Sequence, residues 1–184
     1  MIKPQNYDNV ETFKNFEKLE IGGHICVIKK IEQVTSRTGK PMLQIYLDTD
    51  RNDKQPNYYT ESYKSDTREN KKWGCIYRIL LDDSDINTRN LKAFNEAVQR
   101  SNNNFEIDWN NYEKQLTGKI VCGVFRNEEY ENQQGESKMA VKLYSFRTID
   151  DLKNGKISEP KDKLLNTRSN NDDLIPVSSE ILPF

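Results

Sequence analysis

Apolar positions in this chain recur mostly at two-residue spacing, broken by short polar stretches. Residues 1–20 are polar with scattered Tyr7, Phe13, Phe16 and Leu19, and read as a leader that packs a few aromatics on the body. Gly22-Gly23 opens a first strand, HICVIKKIEQV, rich in β-branched residues. The turn TSRTGK (35–40) leads into a second strand, MLQIYLD (42–48). Its alternation sets Leu43, Ile45 and Leu47 on one face and Gln44 and Tyr46 on the other. DTDRNDKQPN reads as a polar loop, NYYTESYK as a third strand with Tyr59 and Tyr63 on one face, and SDTRENKK as a charged loop. WGCIYRILL (73–81) returns to strand character, with a short helix as its alternative.

The middle of the chain changes period. DDSDIN offers an N-cap signal, and NLKAFNEAVQRS then places Leu91, Phe94 and Val98 at helical spacing. Asn102, Asn103 and Asn104 end that helix, and FEIDWNNYEKQL reads as a short helical turn packed on the body. GKIVCGVFRNEEY is a strand with Ile120, Cys122 and Val124 facing one way and Val121 and Phe125 the other. NQQGE is a hairpin turn, SKMAVKLYSFRTI the last strand, and from Asp150 the pattern fades. The expected fold is therefore mainly β: a five-stranded OB-type Greek-key barrel with a helical insert between strands 3 and 4. The expected domains are a leader (1–20), the OB domain (21–150) and a flexible, disordered acidic tail (151–184).

Composition narrows the class. With 184 residues, 34% hydrophobic and 31% charged, one modest core is feasible and two substantial cores are not. No run approaches the ~20 apolar residues of a membrane span, and no apolar export segment is visible at the start. Cys26, Cys75 and Cys122 lie far apart, which favours free thiols in a reducing cytoplasm. The net charge of -1 argues against a nucleic-acid binder until its distribution is read. Residues 24–81 hold 11 Lys and Arg against 7 Asp and Glu, residues 82–114 hold 4 against 7, and residues 158–184 hold 3 against 5. A local basic face attracts phosphates whatever the global sum.

Catalytic signatures are missing. His24 is the single histidine, with no second one to share catalysis or metal, and it reads as structural. There is no phosphate-binding loop, nucleophile elbow or zinc-protease motif. Asp48 and Asp50, and Asp82, Asp83 and Asp85, fall in polar turns where solvation and helix capping account for them without Mg2+. The expectation is a non-enzyme with no cofactor and no metal.

Aromatic and basic residues interleave in the region of positive balance. Tyr46, Tyr58, Tyr59, Tyr63, Trp73 and Tyr77 stand among Lys29, Lys30, Arg37, Lys40, Lys64, Arg68, Lys71, Lys72 and Arg78. Single-stranded nucleic acid needs this combination: rings stack on bases at ~1–3 kcal/mol each while cations follow the backbone. For any one ring, core packing and base stacking both stand open. Tyr46, Tyr59 and Tyr63 are the leading candidates, with Tyr46 opposite the Leu43, Ile45, Leu47 stripe.

The chain ends in NNDDLIPVSSEILPF. Asp172, Asp173 and Glu180 precede Ile181, Leu182, Pro183 and Phe184, an apolar tip that makes sense as a portable ligand for a partner's apolar pocket with a basic rim. Docking of this tail on its own barrel is the competing reading. The ending resembles the C-terminal tip of bacterial single-stranded DNA-binding proteins at Asp172, Asp173, Leu182, Pro183 and Phe184. It departs in having fewer acids, in the IPVSS that separates them from the tip, and in Leu182 before Pro183. The body is similar to OB proteins of that kind from phages and integrative elements of Gram-positive bacteria. The likeness lies in GGHICVIKKIEQV, LKAFNEAVQRSNNNFEIDW, LTGKIVCGVFRNEEY and the Gly-Lys-Ile…Pro-Lys stretch, over residues 22–165. It implies an OB fold and sequence-independent coating of single-stranded DNA in the bacterial cytoplasm, on the nucleoid, with replication or recombination proteins recruited by the tip. Strand annealing and a purely protein-binding adaptor are the alternatives. Exposed strand edges permit a homo-oligomer.

Overall fold

The computed structural model describes residues 2–9 and 17–165; the predicted partner-binding tip lies outside them. The chain is mainly β. In order it forms β1 (Gly22–Thr35), β2 (Pro41–Thr49), α1 (Tyr58–Ser65), β3 (Ile76–Leu80), α2 (Asp85–Ser101), a 3-10 turn (Trp109–Asn111), α3 (Tyr112–Leu116), β4 (Ile120–Glu131), β5 (Ser137–Arg147) and α4 (Ile149–Lys153). The five strands make one antiparallel sheet, ordered β3-β2-β1-β4-β5. No helix among the described residues is long and apolar enough to cross a membrane.

Alternation carries β2 as read: Leu43, Ile45 and Leu47 are buried, while Gln44 and Tyr46 lie on the opposite face. In β1 a register shift falls between Ile28 and Lys30. The extra residue flips the alternation, so Cys26, Ile28 and Ile31 all point into the core while Lys29 and Lys30 stand outside. β4 is buried on both faces from Val121 to Phe125. Val121 and Phe125 join the main core, whereas Cys122 and Val124 join a smaller cluster with Ile149. By hydrogen bonds the sheet is open, with β3 and β5 at its edges. Tyr77 of β3 and Phe146 of β5 lie edge to face at 5.0 Å, and Phe94 of α2 packs on Phe146 at 4.8 Å.

The predicted third strand, NYYTESYK, is instead helix α1, and the sheet's third strand comes from the IYRIL segment further on. The cause is tertiary capping. The Asp48 carboxylate, at the end of β2, accepts the amides of Tyr59 (2.8 Å) and Thr60 (3.2 Å) as well as the Thr60 hydroxyl. Thr49 Oγ1 accepts the amide of Tyr58 at 2.8 Å. The donors that a helix start leaves orphaned are thus satisfied by residues some ten positions earlier. Asp48 and Thr49 are accordingly buried rather than part of a solvated loop.

α2 forms where predicted and buries Phe94, Asn95, Ala97 and Val98. Its end is tied to β4 through Asn102, whose side-chain amide donates to the carbonyls of Val98 (2.7 Å) and Ile120 (2.8 Å). At the other end of the chain Leu19 enters the core, whereas Tyr7, a leader aromatic expected to pack on the body, is exposed. Phe13 and Phe16 lie outside the described residues. Packing continues beyond Asp150: Leu152 and Ile157 cover the smaller cluster, and Lys163 bridges in parallel to Glu128 on β4.

Candidate nucleic-acid interface

On the sheet and α1, three surfaces bring rings and cations together; elsewhere Lys3 lies over Tyr7 and Lys119 over Phe105. The first is the outer face of β1, β2 and β3, where Lys30 pairs with Tyr46, Tyr46 with Ile76, and Gln44 with Arg78 across the strands. Lys30 Nζ lies 5.4 Å from the centre of the Tyr46 ring. The Tyr46 hydroxyl donates to Glu32 at 2.7 Å, and this bond, with partial burial, raises its pKa. Lys30 also pairs with Glu32 at 2.5 Å, so this face carries one carboxylate among its cations.

The second surface is built on α1 and the segment after it. Tyr63 stands one turn from Tyr59, but the two have opposite fates. Tyr59 is 7% exposed, its ring lying against Gly74, where an added Cβ would come within 2.7 Å of it, and beside Phe125. A ring so enclosed has no free face, so Tyr59 is a core residue and not the base-stacking one expected. Burial pushes its hydroxyl pKa far up. Tyr63 is exposed, 5.7 Å from the Trp73 ring, with Lys71 Nζ 4.6 Å from its centre. Trp73 is held by a 2.8 Å bond from its indole N–H to the Leu47 carbonyl. Around this platform, Lys64 pairs with Glu61 at 2.9 Å and Arg68 with Asp66 at 2.7 Å. Arg68 holds the Asp66 carboxyl down at about 2. Lys72 is exposed without an ion-pair partner among the described residues.

The third surface, which sequence reasoning missed, lies on β5 and the β4–β5 hairpin. Tyr144 is exposed, with the Arg126 guanidinium 4.1 Å from its ring centre. Tyr130 is also exposed, with Lys142 Nζ at 5.8 Å. Arg126 is anchored by Glu128 at 2.9 Å. Tyr77, from the predicted set, sits at the neighbouring seam; burial chiefly, and Tyr144 after it, raise its pKa. The available signal was the alternation of Arg126, Tyr130, Lys138 and Lys142 in the two strands, which pairing brings onto one ladder.

The remaining predicted cations are dispersed. Lys29 stands exposed at the β1 bulge, Arg37 is exposed in the β1–β2 turn, and Lys40 pairs with Asp82 at 3.1 Å. Asp172, Asp173, Glu180, Ile181, Leu182, Pro183 and Phe184 lie outside the described residues. His24 is fully buried, its Nδ1 2.8 Å from Asp53 Oδ2 and its Nε2 3.1 Å from the Glu20 carbonyl. Asp53 also accepts the amides of Ile25 (2.7 Å) and Gln55 (2.9 Å). Burial works to raise the Asp53 pKa, but the His24 and backbone bonds outweigh it and hold the carboxyl below its ordinary value. This pair staples the β2–α1 loop to β1. All three cysteines are free and buried, and burial pushes the Cys75 and Cys122 thiols up to about 12. Among the described residues no three or more His, Cys, Asp or Glu side chains converge on a metal site.

Compared with known proteins, the sequence matches no family model and no curated relative.

Proposed function

We propose that this chain is a sequence-independent single-stranded DNA-binding protein built on an OB-type barrel. The observation that carries the reading is that four tyrosines of the sheet and α1, Tyr46, Tyr63, Tyr130 and Tyr144, are each at least partly open to solvent with a cation within 6 Å of the ring centre. A flat ring offers a π face to any base, and a neighbouring Lys or Arg meets the phosphate next to it. Nothing in such a surface distinguishes one base from another, so binding is indifferent to sequence. The barrel reading is supported by a β1-β2-β3 meander, a β4 that returns beside β1, and the contact between the Tyr77 and Phe146 rings of the two edge strands. The acidic tip, residues 172–184, would recruit replication or recombination proteins, as the resemblance implies.

Titration of the full chain with oligo(dT), followed by quenching of the Trp73 and Trp109 fluorescence at two salt concentrations, tests the reading. Saturable quenching that weakens steeply with salt supports it, because phosphate contacts release counterions. Absence of any fluorescence or mobility change at low salt leaves a protein-binding adaptor instead. Deletion of residues 180–184 is expected to abolish partner capture while DNA affinity stays unchanged or rises.

A further inference from the structure

β1 leaves β4 where Gly22 stands opposite Phe125, so from Arg126 onward β4 and β5 run on as a two-stranded arm. Cross-strand pairing sets Arg126 with Lys142, Glu128 with Ala140 and Tyr130 with Lys138 on one side of this arm. Tyr144 is the extra residue at the register shift beside Val124 and Phe125, and it turns to the same side, 4.1 Å from the Arg126 guanidinium. The other side of β4 carries Asn127, Glu129 and Glu131. The arm is therefore two-faced. Arg126, Lys138 and Lys142 stand with two open rings against Glu128 on the first side, while Glu129 and Glu131 share the second with no cation of the two strands.

The edge of β4 that β1 vacates is taken by residues 161–165. The Lys163 amide donates to the Asn127 carbonyl at 2.9 Å and the Glu129 amide to the Lys163 carbonyl at 2.8 Å, a single parallel bridge to Glu128. The side chains follow strand alternation. Asp162 turns to the acidic side, where it accepts the Asn127 side-chain amide at 3.1 Å, and Lys18 reaches Asn127 Oδ1 from there at 3.2 Å. Lys163 turns to the cationic side, its side chain 62% exposed and its Nζ 3.9 Å from Glu128, which Arg126 holds closer at 2.9 Å. Lys163 thus becomes the fourth cation there, against Glu128 and against Glu136 at the hairpin turn, which Lys138 meets at 3.1 Å. Glu159 and Lys161, just before, offset each other. All of residues 161–165 are exposed, and one exposed bridge is a weak pairing, so its occupancy is open to bias by whatever binds beside it.

We propose, on the reading of this chain as a single-stranded DNA-binding protein, that residues 161–165 belong to the nucleic-acid interface. Docked, they place Lys163 beside Arg126, Lys138 and Lys142 to meet the sugar-phosphate chain of a strand whose bases lie on Tyr130 and Tyr144. Phosphate meets Lys163 there only in the docked state. The polynucleotide therefore favours docking, and docking favours the polynucleotide by the same factor. Binding also holds Leu165, whose amide donates to Glu129 Oε2 at 2.9 Å, on the arm.

Anisotropy titrations of labelled oligo(dT) with the full-length chain, at several salt concentrations, test this. Lys163→Gln keeps the backbone bridge and removes one cation. It is expected to weaken low-salt binding about threefold and to make the slope of log K against log salt shallower by ~0.7, the share of one phosphate contact. Lys18→Gln removes the same charge from the acidic side and is expected to leave the slope at its wild-type value. Hydrogen exchange of the Glu129 amide, which donates to the Lys163 carbonyl, reads docking separately. Oligo(dT) is expected to slow that exchange about fivefold or more in the wild type, and not in Lys163→Pro, which has no amide to give Asn127. Suppose the wild type binds while Lys163→Gln matches it in affinity and slope, or Lys18→Gln loses as much. The segment then lies outside the interface, and the proposal falls while the single-stranded DNA reading stands. Glu129 exchange that ignores oligo(dT) overturns the coupling. A wild type that does not bind at low salt overturns the proposal together with the reading it rests on.

Discussion

Helices α1 and α2 lie on the same sheet but owe their existence to different causes. α2 is a 17-residue amphipathic segment whose apolar face, with Phe94 and Val98 fully buried, drives it onto the core. It forms from its own periodicity. α1 has eight residues and a single buried side chain, Tyr59, and its N-terminal amides are held by Asp48 and Thr49 from β2. A helix that short is marginal by itself, so its stability is borrowed from the sheet. The contrast extends to surface chemistry: α1 presents Tyr63 beside Lys71 and Trp73, whereas α2 and α3 surround Trp109 with Glu96 and Lys92 and with Glu113 and Lys114, one cation to each carboxylate.

The largest test of this contrast is Asp48→Ala. It strips the acceptor from three donors at the start of α1 and is expected to cost about 3 kcal/mol of stability, read by denaturant unfolding. A loss below about 1 kcal/mol would mean that α1 stands without its tertiary caps. Gly74→Ala comes next. Its Cβ would meet the Tyr59 ring at 2.7 Å, and the shift it forces is expected to cost about 2 kcal/mol. Unchanged stability would show that Tyr59 moves freely and that the α1 packing is loose.

Much of this was legible in the sequence, and the misreadings share one cause. β2 and α2 follow from periods of two and 3.6, because one face of each is apolar and the other polar. β4 was read on both faces, since Ile120, Cys122, Val124 and Val121, Phe125 alternate within an unbroken apolar run. NYYTESYK was misread because Tyr59 and Tyr63 lie four apart, a spacing consistent with both a strand face and a helix face. The deciding interaction, Asp48 with the amides of Tyr59 and Thr60, spans about ten residues and has no local signature. Tyr144 and Arg126 went unnoticed for the same reason: they stand eighteen positions apart, and only the β4–β5 pairing brings them to 4.1 Å.

Tyr63→Ala sharpens the comparison on the side of function. Loss of a stacking ring is expected to weaken oligo(dT) binding by ~1–3 kcal/mol with little change in melting temperature, because Tyr63 is a surface ring. Equal affinity would move the binding face away from α1. A smaller effect concerns pH. The folded Asp53 carboxyl lies below its ordinary value, so the unfolded chain takes up that proton first. Its contribution is therefore present at neutral pH and is lost as pH falls through the folded pKa. Asp53→Asn is expected to flatten that acid limb in thermal melts between about pH 5 and pH 3. An unchanged limb would mean that other carboxylates set it. The smallest effect is expected from Ser84→Ala at the start of α2. Ser84 makes no side-chain cap bond to the helix, so the change should cost no more than about 0.5 kcal/mol by chemical denaturation. A loss comparable to Asp48→Ala would erase the distinction between the two helices.

The most direct measurement is fluorescence anisotropy of a labelled oligo(dT), titrated with the full-length chain and with its Tyr63→Ala/Tyr144→Ala variant. The prediction is saturable wild-type binding, a linear fall of log K with log salt between about 50 and 200 mM, and at least roughly tenfold weaker binding by the variant. No binding at the lowest salt, or identical curves for the two proteins, would contradict it.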